Sequence, residues 1–198
     1  MSETEKALYR LVLHPEDVNY APESSSMIRE ILYDAGFIGE ACGIADTEHA
    51  QQAFLVGEQF LQLLTFMGCS PNINLAPQHD GDRDFCHIVL SSVSAQPRFR
   101  SHERDVFARC PECGRRDTGW RAHIERWQAD TSLNEYVCPH CDKSLSLYDL
   151  RWRQMAGFGR VFIDVFSIFP QEGIPTNNLL SLLEKGSARS WTYFFTNR

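Results

Sequence analysis

The sequence holds two Cys-x-x-Cys pairs, Cys110-Pro111-Glu112-Cys113 and Cys138-Pro139-His140-Cys141. Four thiolates at this spacing can converge on one tetrahedral ion, which forces residues 110–113 against 138–141 whatever the surrounding chain does. Proline after each first cysteine sets a bend, and Gly114 supplies the positive φ that such a knuckle needs. With all four positions of the ion taken by sulfur there is no place for water or substrate, so Cys110, Cys113, Cys138 and Cys141 read as a structural site for one zinc ion. Zinc is expected over iron, because nothing else in the chain suggests redox work. His123 and His140 lie nearby and are left spare by the four thiolates.

Paired knuckles of this kind resemble the zinc ribbon, in which two knuckles are joined by a β-hairpin. The resemblance covers residues about 110–141 and implies a small metal-stapled module there. Composition agrees with a segment set apart. From Arg98 the chain turns arginine-rich and poor in aliphatic residues until the second pair is passed. The expected organisation is therefore an N-terminal part of the body over 1–97, an inserted zinc-ribbon module over 98–150, and the rest of the body over 151–198. Structural zinc in small peptides is worth roughly 10–16 kcal/mol, enough to dominate the folding of an insert with little core of its own.

Charge divides along the same line. Residues 98–160 hold 12 Lys and Arg against 9 Asp and Glu, and the remainder holds 7 against 17. An acidic body thus carries a mildly basic middle whose cations are, Lys143 apart, all arginine. Arg115, Arg116, Trp120, Arg121, Arg126 and Trp127 interleave guanidinium and aromatic groups, a pattern suited to contact with a macromolecular partner. Protein is favoured over nucleic acid, since the acidic body repels a long polyanion and the basic excess is small. RNA or single-stranded DNA, stacked on the tryptophans, is the alternative. A blander reading has Trp120 and Trp127 covering the metal site and the arginines paired with Glu112, Asp117, Glu125 and Asp130.

The flanking segments predict an α+β fold, a sheet with helices packed on it, carrying the inserted four-cysteine ribbon. Strands are expected over residues 9–14, 85–93, 160–169 and 191–195. Met27, Ile28, Ile31, Leu32 and Ala35 repeat at helical spacing before a stop at Gly36. Pro175 and Thr176 open a second helix bearing Leu179, Leu180, Leu182 and Leu183, with Gly186 expected to stop it. Residues 39–50 read as a connection. The run Phe60–Met67 suits either state, with helix favoured, and residues 68–72 read as a turn.

Enzymatic signals are sparse. No phosphate-cradling loop, His-Glu-x-x-His or Gly-x-Ser-x-Gly occurs. Seven cysteines leave Cys42, Cys69 and Cys86 outside the pairs, and a cysteine-dependent enzyme built on Cys69, Cys86 and His87 is a further alternative. Cys86 and His87 should nevertheless face opposite sides of a strand. The acidic loop His79–Asp84 lacks the glycine and glutamate positions of a calcium loop. A polar start and the lack of any run of about 18 apolar residues point to a cytoplasmic protein without a membrane span.

Overall fold

The computed structural model describes residues 9–43, 52–66, 73–79, 82, 84–104, 106–169 and 172–197. The chain runs β1 (Arg10–Pro15), α1 (Ser25–Asp34), β2 (Ile38–Ala41), β3 (Gln52–Val56), α2 (Phe60–Leu63), β4 (Leu64–Phe66), β5 (His87–Leu90) and β6 (Arg98–Ser101). It continues through β7 (Ala108–Arg109), β8 (Arg116–Asp117), α3 (Trp120–Ala129), β9 (Glu135–Val137), β10 (Ser144–Ser146) and a 3-10 turn at Leu147–Asp149. It closes with β11 (Ala156–Gly159), β12 (Ile163–Phe166), β13 (Gly173–Pro175), α4 (Asn177–Ser187) and β14 (Trp191–Thr196).

Six strands form one antiparallel sheet in the order β14-β1-β12-β5-β3-β2. Side chains alternate across it as the two-residue repeat of a strand requires. One face presents Leu11, Leu13, Ile163, Val165, Ile88, Leu90 and Phe195 to a buried cluster completed by Ile28 and Leu32 of α1 and Leu179 and Leu183 of α4. Both helices thus pack on the same side of the sheet, and the α+β class expected from the sequence is the observed one.

Several local expectations need correction. Gly36 does end α1 with φ +67°, but Gly186 lies inside α4, which stops instead at left-handed Ala188 with φ 53°. Gly186 is there for close approach, since a Cβ at that position would lie 2.5 Å from Ile31 Cδ1 of α1. Residues 38–41 pair with β3 as an edge strand, so the segment read as a connection begins as sheet. The ambiguous run splits, with one helical turn at Phe60–Leu63 and then strand β4 against β13. The turn expected at 68–72 lies outside the described residues. Within the acidic loop, Asp82 accepts hydrogen bonds from the Gln78 and Asp84 backbone N–H groups at 2.8 and 2.9 Å, the work of a turn former.

The opposite face of the sheet carries Val12, Phe194 and Asp164, and there β6 and β11 pack. β6 and β11 pair antiparallel in the register Arg98↔Gly159 to Ser101↔Ala156, so the chain leaves and re-enters the body on adjacent strands. Arg100 of β6 reaches across to Asp164 of β12, which is 2% exposed, donating from Nη1 to Oδ2 at 2.9 Å and from Nη2 to Oδ1 at 2.5 Å. Beyond this clasp lies a second core of Ala108, Trp120, Ile124, Trp127, Tyr136, Leu147, Leu150, Trp152, Ala156 and Phe158, with Cys110 and Cys138 at its margin. The segment expected to have little core thus has an aromatic one, and that core runs past residue 150 to Trp152, Ala156 and Phe158.

Candidate metal centre

Each cysteine pair forms the turn of a small hairpin. β7 and β8 flank the first, and β9 and β10 flank the second. The two knuckles are built alike. Cys110 N–H donates to Arg115 O and Gly114 N–H to Cys110 O, at 3.1 and 3.0 Å; Cys138 N–H donates to Lys143 O and Asp142 N–H to Cys138 O, both at 3.0 Å. The residue four places after the first cysteine is left-handed in both, Gly114 at φ 70° and Asp142 at φ 57°. Aspartate takes this conformation more readily than most side chains, which explains how the second knuckle closes without glycine.

The four sulfurs lie within 4.8 Å of one another. Cys110 Sγ to Cys141 Sγ and Cys113 Sγ to Cys138 Sγ are both 3.8 Å. A tetrahedron with Zn–S bonds of about 2.3 Å has edges of about 3.8 Å, so the cluster fits one zinc ion in both donor type and size. Cys110 and Cys138 are buried at 1% and 0% exposure, with the other two nearer solvent. Four thiols so close cannot ionise independently. Burial raises Cys138, but N–H groups of His140 and Cys141 and the adjacent thiols outweigh it and hold the group at about 7. Cys141 is driven up to about 12: its bond from Lys143 N–H works downward, and burial and the other three cysteines overcome it. A metal arriving at this cluster must displace protons.

The spare histidines are spoken for. His140 is exposed and its Nε2 donates to Arg116 O at 3.0 Å, while His123 packs edge-on against Tyr136 at 5.1 Å. Beneath the cysteines lie buried Tyr136 and Asp117. Burial, then the nearby Asp117 carboxylate, raises the Tyr136 hydroxyl, although the pair falls short of standard hydrogen-bond geometry. Asp117 Oδ1 also accepts from Gly119 N–H at 2.7 Å, fixing the start of α3.

Between the knuckles the chain departs from a plain ribbon, because α3 occupies the place of the expected hairpin. Its Trp120, Ile124 and Trp127 follow the helical i, i+4, i+7 spacing and point into the second core. The two tryptophans of the sequence-derived partner surface are accordingly interior, Trp120 at 3% and Trp127 at 0% exposure. Their indole N–H groups donate to Val106 O at 3.1 Å and Tyr148 Oη at 3.0 Å. The four arginines, Arg115, Arg116, Arg121 and Arg126, are all exposed. Ion pairs among the described residues join Arg10 and Arg100 to Asp164 and Arg189 to Asp17, and none uses these four. Arg121 instead lies 4.5 Å over the Trp120 ring, and Arg116 3.9 Å over Phe107.

The alternative cysteine site does not assemble from its described members. Cys86 is fully buried in the body core, where burial raises its thiol strongly. His87 faces the other way, stacked on Phe166 at 4.4 Å, with Nδ1 donating to Phe85 O at 2.9 Å. Cys69 lies outside the described residues. Neither Cys86 nor His87 lines the cleft of about 360 Å³ beside Phe99, Trp120 and Arg121, or the one of about 290 Å³ beside His14, Tyr148 and Trp152. No helix among the described residues is long and apolar enough to cross a membrane. The chain matches no protein-family model, no curated protein and no solved structure.

Proposed function

We propose that the chain is a non-enzymatic adaptor in which a structural zinc ion holds the insert in shape, so that its arginine surface meets a macromolecular partner, protein in preference to nucleic acid. The observation that carries this reading is the combination of a closed four-sulfur cluster with exposed arginines that no carboxylate of the described chain neutralises. Guanidinium groups held on a rigid frame and left unpaired are suited to bidentate contact with carboxylates of another molecule. Burial of both tryptophans weakens the nucleic-acid version, which needs exposed rings on which bases stack.

Metal analysis of the purified protein should find about one equivalent of zinc, lost in Cys110→Ser or Cys141→Ser. A partner retained by the intact protein and released by the variant Arg115→Ala, Arg121→Ala, Arg126→Ala supports the reading. Zinc-free protein that keeps its fold and its partner contradicts it.

A further inference from the structure

Strands β7 and β8 and the isolated bridge at Arg151 bring arginines into one row. Arg109 of β7 is directly opposite Arg116 of β8. On its other side Arg109 is directly opposite Arg151, with which it exchanges both backbone hydrogen bonds, Arg109 N–H to Arg151 O at 3.0 Å and Arg151 N–H to Arg109 O at 2.9 Å. Residues directly opposite in an antiparallel ladder share a face, with Cβ atoms about 4.5–5.5 Å apart. Their chain neighbours Ala108, Asp117, Leu150 and Trp152 are all buried, so the arginine face is the outward one.

Like charges placed opposite each other destabilise a sheet, and no carboxylate of the described chain neutralises this row. None of the three has an ion pair there. Arg109 Nη1 donates to Gly114 O at 2.7 Å, yet its Nε is buried without a hydrogen-bond partner. Phe107 supports the row from below, its ring 3.9 Å from the Arg116 guanidinium carbon and 5.4 Å from that of Arg109. Arg153 extends the charge from a tight turn, Met155 N–H to Trp152 O at 3.0 Å, whose central residues Arg153 and Gln154 sit at φ 49° and 59°. Such turns ordinarily take asparagine or glycine, so this one is held in a costly conformation with arginine at its tip.

We infer that the row Arg116–Arg109–Arg151, continued by Arg153, is the docking surface for an acidic segment of a partner protein. The inference rests on the adaptor reading and gives its partner a chemistry and a place. Acidic residues one helical turn apart on a partner helix have Cβ atoms about 5–6 Å apart, close to the Cβ spacing of the row. A protein segment fits better than a nucleic acid because the Phe107 ring beside the row is covered by guanidinium, and Trp120, Trp127 and Trp152 are buried and cannot take a base.

The test is equilibrium binding of the zinc-loaded full chain to a labelled oligoglutamate peptide and to labelled oligothymidylate, at low and physiological salt. Oligoglutamate should bind more tightly than oligothymidylate. The double variant Arg116→Gln, Arg151→Gln should weaken oligoglutamate binding about tenfold, the loss of two partly exposed charge contacts. It should also keep its zinc and melt no lower than the unaltered protein, since repulsion along the row has been relieved. Unchanged peptide binding in this variant overturns the inference. If the Arg121→Ala, Arg126→Ala variant loses the peptide instead, the adaptor reading survives with its surface moved to α3. Tighter binding of oligothymidylate, or a lowered melting temperature in the row variant, overturns the inference too, by making the row a nucleic-acid contact or a structural element.

Discussion

Replacing Asp164 by asparagine tests whether the clasp between body and insert is a stabilising pair. Asp164 is the only charge of β12, and it accepts two hydrogen bonds from Arg100 while Arg10 Nη1 lies 3.8 Å away. Asparagine preserves volume and one acceptor but leaves two guanidinium groups facing a neutral amide. Breaking a buried ion pair costs about 3–5 kcal/mol. The Arg100 side chain is 23% exposed and recovers some hydration, which places the loss nearer about 2–3 kcal/mol. For a chain of this size that is a fall in melting temperature of about 5–10 °C. Urea denaturation followed by far-ultraviolet circular dichroism measures it, and Arg100→Gln completes a double-mutant cycle. Each single variant should lose a similar amount, with the double variant well short of the sum. A change in Asp164→Asn below about 0.5 kcal/mol, or simple additivity, would refute the argument that the clasp is energetically one unit.

His14 lies under β11 and burial lowers its pKa from 6.5 to about 4. Because the unfolded chain binds the proton more readily, stability should rise with pH between about 4 and 6.5 and fall as pH drops through that window, by about 3 kcal/mol in all; His14→Gln should flatten the dependence in urea titrations at stepped pH. Gly186→Ala sets a helix-propensity gain of about 1 kcal/mol against an overpacking cost of about 1–3 kcal/mol where the new Cβ meets Ile31. The net effect should be a loss, reversed to a gain when the same alanine is made in an Ile31→Ala background. Removing zinc with a chelator should red-shift the fluorescence of Trp120, Trp127 and Trp152, which share the insert core, more than that of Trp191 in the body; single-tryptophan variants read this directly.

How much of this was readable in advance depended on whether the signal was local. The cysteine knuckles and α1 were, because spacing along the chain is what fixes them. Helix α3 was also within reach, since Trp120, Ile124 and Trp127 carry its period, but the arginines interleaved with the same tryptophans make the stretch read equally well as an exposed surface. Gly186 misleads for a different reason. Glycine ends helices and also admits close packing, and only the neighbour Ile31 decides between the two. The arginine row lay beyond any local reading. It exists because strands of two residues pair across the first knuckle and again with residue 151, and no periodicity announces such a register.

The pairing of β6 with β11 has one more consequence. Both ends of the insert emerge on neighbouring strands, about 5 Å apart, so to the body everything from residue 102 to 155 is topologically a hairpin loop. Any module whose termini meet at that distance could be grafted in its place, and a short turn could close the gap after excision. The clasp of Arg100 on Asp164 belongs to the stem and would remain behind, whereas the bonds from Phe195 N–H to Gln154 O and from Glu103 N–H to Asn197 Oδ1 would leave with the segment, and a graft would have to replace them.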